Sequence, residues 1–224
     1  MKNKILVVVA HSDDEVLGCG GAISKHVANQ DEVFVLVLTD GESSRGEFNI
    51  EKRHEAFLKS CHILGIENHY HANLKDGQLD TYPLVEVIRI IEKVATEFGP
   101  TIVYTHNESD LNIDHTITHR AVMTAFRGTP NSIVSQILTF EIPSSAEWAN
   151  FRNRSQFVPN YFIELTEKEF KTKMKALNCY ANELREFPHP RSEEYLEALA
   201  KVRGGSVGVK LAEAFFAERI IIRS

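Results

Sequence analysis

The chain has 224 residues, of which 43% are hydrophobic, 25% charged and 9% aromatic. This composition is that of an ordinary globular domain, and it excludes disordered, collagen-like and fibrous classes. The formal charge is −6 at pH 7, from 25 Lys and Arg against 31 Asp and Glu, with no long block of one sign. We therefore expect neither a nucleic-acid partner nor a polybasic membrane patch.

The N-terminal apolar run does not predict a targeting or membrane segment. It is short and breaks at His11, and no stretch of the chain reaches the roughly eighteen apolar residues that a transmembrane helix requires. The three cysteines, Cys19, Cys61 and Cys179, are odd in number and widely spaced, which is typical of reduced thiols. We expect a cytoplasmic protein.

The first half of the chain predicts strands and helices in alternation. Continuous apolar runs at residues 5–10 and 33–38 indicate strands covered on both faces, and residues 16–28 between them have helical spacing. This is a βαβ unit. Farther along, we predict a loop over 39–48, helices over 50–64, 82–98 and 115–127, and strands over 69–74, 101–105 and 133–142.

The second half is less regular. We predict a strand over 161–165 and helices over 167–185 and 193–203, whereas the tail over 209–222 is ambiguous. No repeat or low-complexity linker divides the chain, so we expect one domain over 1–224, with the core sheet in 1–142 and a C-terminal elaboration in 143–224. The predicted fold is a Rossmann-like, doubly wound α/β sheet, mostly parallel. Such sheets bind ligands beyond the carboxyl ends of their strands, which directs attention to the segments after strands one and four.

An imidazole and three carboxylates follow the first strand, in Ala10-His11-Ser12-Asp13-Asp14-Glu15. His11 and one of the two aspartates could supply two ligands to a catalytic zinc, and the remaining carboxylate could act as a base. The alternative is a structural role, in which Asp13 or Asp14 caps the helix and its negative charge interacts favourably with the helix dipole.

A second polar cluster, residues 106–115, follows the fourth strand, where a third ligand would be needed. His115 falls in the first turn of the predicted helix, and His119 lies four residues later on the same face. His106 and His119 are each also compatible with an ordinary packing role.

The two clusters resemble the motifs of the LmbE-like, or PIG-L, zinc-dependent N-deacetylases. The family motif Ala-His-Pro-Asp-Asp-Glu is matched at residues 10–15, with Ser12 in place of proline. The resemblance continues through Leu17-Gly-Cys-Gly-Gly21, Thr39-Asp-Gly-Glu42, Asp76-Gly77, Asp110-Leu-Asn-Ile-Asp-His115, Glu141-Ile-Pro-Ser-Ser145, Glu183-Leu-Arg-Glu-Phe-Pro-His-Pro-Arg-Ser192 and Arg203-Gly204. It thus covers essentially the whole chain.

The resemblance implies a role for each matched position. It implies that His11, Asp14 and His115 hold Zn²⁺, or another divalent metal such as Fe²⁺, and that Asp13 is the general base. It also implies substrate contacts near Arg53 and Asp76, although Lys52 could be the aligned basic residue and Asp76-Gly77 could be an ordinary turn.

Asn112 departs from the family pattern. Many relatives have a histidine three residues before the metal-binding one, to stabilise the intermediate or protonate the leaving amine. An asparagine can donate a hydrogen bond to an oxyanion but cannot deliver a proton at neutral pH. The acid could instead be Asp13 itself, His106 or His119.

The implied activity is removal of the N-acetyl group from a small-molecule amino sugar, free or on a nucleotide, lipid or polyol carrier. Two other classes remain open: an amidase for N-acyl amino acids or thiol conjugates, and a catalytically lapsed binding module on the same fold. A homo-oligomer is possible.

Overall fold

A computed structural model describes residues 2–44, 49–130, 132–149, 156–180 and 182–222, so the last four residues of the predicted loop over 39–48 lie outside it. The strands are β1 (Lys4–Val9), β2 (Glu32–Thr39), β3 (Asn68–Leu74), β4 (Ile102–His106), β5 (Gln136–Phe140), β6 (Tyr161–Glu164) and β7 (Ala212–Ile220). The α-helices are α1 (Asp14–Ala28), α2 (Ile50–Leu64), α3 (Leu84–Phe98), α4 (Ile113–Ala125), α5 (Glu167–Leu177) and α6 (Glu193–Gly205).

The seven strands form one sheet in the order β3-β2-β1-β4-β5-β7-β6. The first five strands pair in parallel, and β7 is antiparallel to both of its neighbours. The chain moves outward from β1 to β3 and then returns to place β4 on the other side of β1. The strand order therefore reverses between β1 and β4, and this confirms the predicted doubly wound, mostly parallel α/β fold.

Alternate residues of the central strands separate the two faces of the sheet. Val7 and Val9 of β1 belong to one apolar cluster, with side chains from α1, α2 and α5. Leu6 and Val8 belong to the other, with side chains from α3 and α4. Helices thus cover both faces, which explains why the β1 and β2 sequences are continuously apolar.

Two glycines of α1 permit close packing against the sheet and its C-terminal strands. A Cβ atom on Gly18 would lie 2.3 Å from the Phe140 ring, and one on Gly21 would lie 2.4 Å from Leu165. Both distances are far below van der Waals contact, so a side chain at either position would force α1 away from its neighbours.

The structure differs from the sequence predictions most in the C-terminal third. The helix predicted over 167–185 ends at Leu177 and is followed by a short 3₁₀ turn, Asn178–Tyr180. The prediction was wrong there because the following segment leaves the helix path and carries Glu183 into a buried ion pair with Arg53. The ambiguous tail is β7, and β6 and β7 belong to the same sheet as β1–β5, so the sheet extends beyond residues 1–142.

None of the helices in the described ranges combines the length and the apolarity that a membrane span requires.

Candidate metal centre

The turn between β1 and α1 carries the first polar cluster. Asp13, at the N-cap of α1, has a φ of 116°, a region that side-chain-bearing residues rarely adopt. Its N–H donates to Glu15 Oε2 at 2.9 Å, and the Tyr180 hydroxyl donates to Glu15 Oε1 at 2.7 Å. These buried contacts hold the turn in its unusual conformation, and they place Asp13 and Asp14 at the carboxyl end of β1.

The second cluster lies at the carboxyl end of β4, the strand beside β1. The Asn112 side chain accepts a hydrogen bond from the N–H of Asp114 at 2.9 Å and caps α4. Asp110 Oδ1 in turn accepts from the Asn112 N–H at 2.8 Å. These two caps fix the start of α4, so that His115 falls in its first turn and faces the β1 cluster.

Three donor atoms from the two clusters converge. His11 Nδ1 lies 3.0 Å from Asp14 Oδ2, and His115 Nε2 lies 3.2 Å from His11 Nδ1 and 3.3 Å from Asp14 Oδ2. A tetrahedral ion 2.0–2.2 Å from each ligand would separate its donors by about 3.3–3.6 Å. The donor spacings lie at the lower end of this range or up to about 0.3 Å below it, and the imidazole–carboxylate chemistry fits a divalent cation with one open position.

The ring nitrogen of each histidine that points away from the other donors lies beside a carboxylate. His11 Nε2 lies 3.0 Å from Asp76 Oδ1 and 3.1 Å from Asp114 Oδ2. His115 Nδ1 lies 2.9 Å from Asp110 Oδ2. Metal-binding histidines commonly have such carboxylate partners, which fix the ring orientation and the tautomer.

The same side chains form two further triads, and they overlap with the first. These are His106 with Asp110 and His115, and His11 with Asp76 and Asp114. An ion between His11, Asp14 and His115 leaves Asp76 and Asp114 as charged partners of the outer nitrogen of His11, and Asp110 as that of His115. Because this one arrangement gives every side chain of the three triads except His106 a role, we favour it over the other two.

The ionisation of the three donors reflects their burial and their mutual contacts. Burial disfavours protonated His11, but the Asp14 carboxylate and three carboxylate hydrogen bonds outweigh it and raise the pKa well above its usual range. In the same way Asp110 and Asp14 overcome the burial of His115 and raise its pKa to about 9. The three neighbouring histidines hold the pKa of Asp14 well below its usual range despite its burial. A bound cation would replace the protons of the two imidazoles.

Asp13 does not belong to the donor triangle, which is formed by His11, Asp14 and His115. It contacts two arginines instead. Arg53 Nη2 and Arg191 Nη1 each lie 3.3 Å from Asp13 Oδ2. Burial raises the pKa of Asp13, and the two guanidinium groups oppose that effect only in part. A carboxylate beside the donor triangle with a raised pKa has the properties of a general base.

The other residues expected at the site have defined places. His106 Nε2 accepts a hydrogen bond from the Ala10 N–H at 3.0 Å, and its ring stacks on His115 at 4.0 Å. His119 donates from Nδ1 to the His106 carbonyl at 3.0 Å. Arg53 is buried, and besides Asp13 it contacts Glu183 and donates to the Ser12 carbonyl. Asp76 contacts His11, as described above.

Several residues at the site have no role in the sequence-based prediction. Asp110 and Asp114 belong to a quoted motif, and their acidic spacing around His115 is the signal that could have indicated partners for the histidines. Glu183 and Arg191 belong to the C-terminal motif, but nothing local predicts the contact of Arg191 with Asp13, 178 residues away in sequence, or that of Glu183 with Arg53.

A cavity of about 270 Å³ opens beside the centre, lined by Ser12, Asp40, Ile50, Glu51, His54, His71 and Asn73. A larger groove of about 990 Å³ lies between β6, α5 and α6, and no residue of the two polar clusters lines it. The smaller cavity is therefore the better candidate for a substrate entrance, because Ser12 belongs to the motif that carries Asp13.

Known proteins are similar to this chain in both sequence and fold. The profile of the family described as PIG-L: GlcNAc-PI de-N-acetylase matches residues 6–126. The chain is 30% identical to an uncharacterized deacetylase of Escherichia coli K12, YaiS, over 77% of this chain and 88% of the relative. It is 25% identical to a diacetylchitobiose deacetylase of Thermococcus kodakarensis, over 94% of this chain and 81% of the relative.

The N,N′-diacetylchitobiose deacetylase of Pyrococcus horikoshii, solved with the inhibitor MPG, is similar in structure. It superposes with a TM-score of 0.78 at 22% identity, over 97% of this chain and 84% of that chain. Residues 6–126, which the family profile matches, contain all three converging donors and Asp13. With a family profile over more than half of its length, the chain belongs to the PIG-L, or LmbE-like, family of N-deacetylases and is a hydrolase.

Proposed function

We propose that this protein is a zinc-dependent hydrolase that removes the N-acetyl group from an N-acetylated amino sugar. The observation that carries the proposal is the donor triangle of His11, Asp14 and His115, with a carboxylate behind each imidazole. When bound there, zinc would supply a Lewis acid for the amide carbonyl and increase the acidity of water. We also propose that the protein is cytoplasmic, which its three free cysteines support.

Asp13 is the proton carrier in this proposal. Its carboxylate takes a proton from the water whose oxygen attacks the acetyl carbon, and it returns that proton to the nitrogen as the C–N bond breaks. The products are acetate and a free amine.

Asn112 is the proposed donor to the developing oxyanion. Its Oδ1 atom accepts the Asp114 N–H in the helix cap, so the side-chain amide N–H group is the part left to donate. His106 is less suited to be the acid, because its Nε2 atom already accepts the Ala10 N–H. The Nδ1 atom of His119 is likewise engaged, because it donates to the His106 carbonyl.

The substrate class rests on relatives. Two of them are named as deacetylases of diacetylchitobiose, an N-acetylated amino sugar. The cavity beside Ser12 is lined by acidic, amide and imidazole groups, which suit the hydroxyl groups of a sugar. In this proposal Arg53 and Asp76 act inside the centre, and the polar lining of the cavity supplies the substrate contacts.

The test is acetate release by zinc-loaded protein from N-acetylglucosamine, N,N′-diacetylchitobiose and N-acetylmethionine, with His115→Ala as the inactive control. We expect release from a sugar, abolished in the variant. Release from N-acetylmethionine alone would replace the proposal with an N-acyl amino acid amidase. Stoichiometric zinc without any release would indicate a binding module on this fold.

A further inference from the structure

We propose that Glu183 is a positioning residue for the reaction: through Arg53 and Arg191 it fixes the side chain of Asp13. The inference rests on the proposed function, since it assigns Asp13 the role of base. Glu183 comes from the segment between α5 and α6, and the ion pairs that it forms within the described residues are with the two arginines.

The contacts form a closed set of four charges. Arg53 Nη2 and Arg191 Nη1 each lie 3.3 Å from Asp13 Oδ2. Glu183 Oε1 lies 2.5 Å from Arg53 Nη1, and Glu183 Oε2 lies 3.1 Å from Arg191 Nη1. Each oxygen of Glu183 thus holds one arginine, and both arginines converge on one oxygen of Asp13.

Further contacts fix the two guanidinium groups. Arg53 donates to the Ser12 carbonyl, and its guanidinium carbon lies 5.6 Å from the centre of the Tyr180 ring. Arg191 Nε lies 3.2 Å from Ser144 Oγ. A planar guanidinium with several directed donors has little freedom once these are engaged, so its position is transmitted to Asp13.

The Glu15 and Tyr180 contacts hold the backbone of Asp13, and the two arginines orient its side chain. With φ at 116°, the residue is outside the conformations that its own side chain favours. Two positive and two negative groups balance in a buried space, and neutralising Glu183 would leave both arginines to compete for Asp13 alone. The Asp13 carboxylate would then be drawn towards them and away from the attacking water.

The variant Glu183→Gln tests the inference, because it keeps the size of the side chain and removes its charge. We expect kcat to fall roughly 10- to 100-fold, the size of effect that a displacement of about 1 Å produces. KM is expected to stay within about twofold and zinc content to stay at the wild-type level, since neither substrate contacts nor metal donors change. Glu183→Asp, which keeps the charge, should restore part of kcat.

Glu213→Gln is the matched control. Glu213 and Glu183 are equally buried, at 6% exposure, and Glu213 also pairs with a buried cation, Lys173, at 2.7 Å. Its pair is outside the Asp13 network. We expect this variant to lose thermal stability while kcat per folded molecule is unchanged.

Two results would overturn the inference: wild-type kcat in Glu183→Gln, or a fall in kcat that matches its loss of zinc. If the wild type itself is inactive on every substrate, the proposed function fails, and crystal structures of wild type and Glu183→Gln decide the inference alone. A displaced Asp13 carboxylate in the variant supports it, and an unmoved one contradicts it.

Discussion

The metal donors and the proposed base are held in different ways, although they are neighbours in sequence. His11, Asp14 and His115 lie in the first turns after β1 and β4, and their supporting carboxylates come from the turns after β3 and β4. Asp13 is held by Arg53 of α2 and by Glu183 and Arg191 of the segment between α5 and α6. The donors thus depend on the ends of the parallel strands, and the base depends on side chains of α2 and of the C-terminal segment, up to 178 residues away in sequence.

The comparison predicts that binding of the metal and turnover can be separated by substitution. Changes at the strand ends should affect both properties, and changes around Asp13 should affect turnover alone.

The largest effect is expected for His115→Ala. Without the third donor, bound metal should fall at least about tenfold and activity by roughly a thousandfold or more, because Lewis-acid stabilisation contributes several kcal/mol. Elemental mass spectrometry after identical dialysis measures the metal, and acetate release measures activity. His62→Ala, on the exposed face of α2, is the control. Metal retained in full by His115→Ala would contradict the donor triangle.

Asp13→Asn should separate the two properties. The substitution keeps the shape of the side chain but cannot accept the proton of water, so we expect turnover to fall by roughly 10²–10⁴-fold with metal content unchanged. The same two measurements check it. Parallel loss of metal and activity would place Asp13 among the donors.

Asp110→Asn should weaken metal binding to a smaller degree. Asp110 lies 2.9 Å from His115 Nδ1, and losing a carboxylate behind a metal-binding histidine typically costs roughly 10- to 100-fold in affinity. Competition with a chelator measures the affinity. Asp31→Asn is the matched control. Asp31 Oδ2 lies 2.7 Å from His26 Nδ1 in a similar pair, and that pair is not part of the candidate centre. Equal metal affinities for the two variants would show that Asp110 does not support metal binding.

The smallest effect concerns His71, whose Nε2 lies 3.0 Å from Ser12 Oγ in the motif that carries Asp13. Burial, together with His54 and His69, lowers the pKa of His71 to about 4. The unfolded chain, with a histidine pKa of about 6.5, then binds a proton that the folded chain excludes. Stability from this group is therefore present at pH 7.5 and is lost as the pH falls from about 6.5 towards 4.

His71→Gln removes that proton linkage. Between pH 7.5 and pH 5, we expect the wild type to lose about 2 kcal/mol more free energy of unfolding than the variant, measured by urea denaturation at each pH. Parallel losses in the two proteins would show that His71 titrates normally in the folded state.

The contrast between the metal donors and the proposed base also separates what the sequence could predict from what it could not. The apolar runs of β1, β2 and β4 are continuous because both faces of these strands are covered, and their positions were predicted to within two residues. The positions after β1 and β4 predicted His11, one of the two aspartates and a histidine of the second cluster as candidate donors, and the family resemblance implied the set His11, Asp14 and His115. Parallel strands end at one edge of the sheet, so residues after two adjacent strands meet.

The network around Asp13 could not be predicted in this way. Glu183 was placed in a helix, since residues 167–185 have charged and apolar residues at helical spacing. Only the fold shows that the helix ends at Leu177 and that the chain then returns to Arg53. β7 was ambiguous because buried and partly buried residues follow each other along it instead of alternating strictly.

The position of β7 has a consequence for the synthesis of the protein. β7 pairs with β5 on one side and β6 on the other, and its Glu213 carboxylate accepts the N–H groups of Gly21 and Ala22 in α1. Until that strand emerges from the ribosome, a nascent chain has an open β5 edge and lacks the carboxylate that accepts these two N–H groups. An open edge of this kind invites intermolecular pairing. The growing polypeptide is therefore most vulnerable to aggregation after β5 has been translated and before β7 is released.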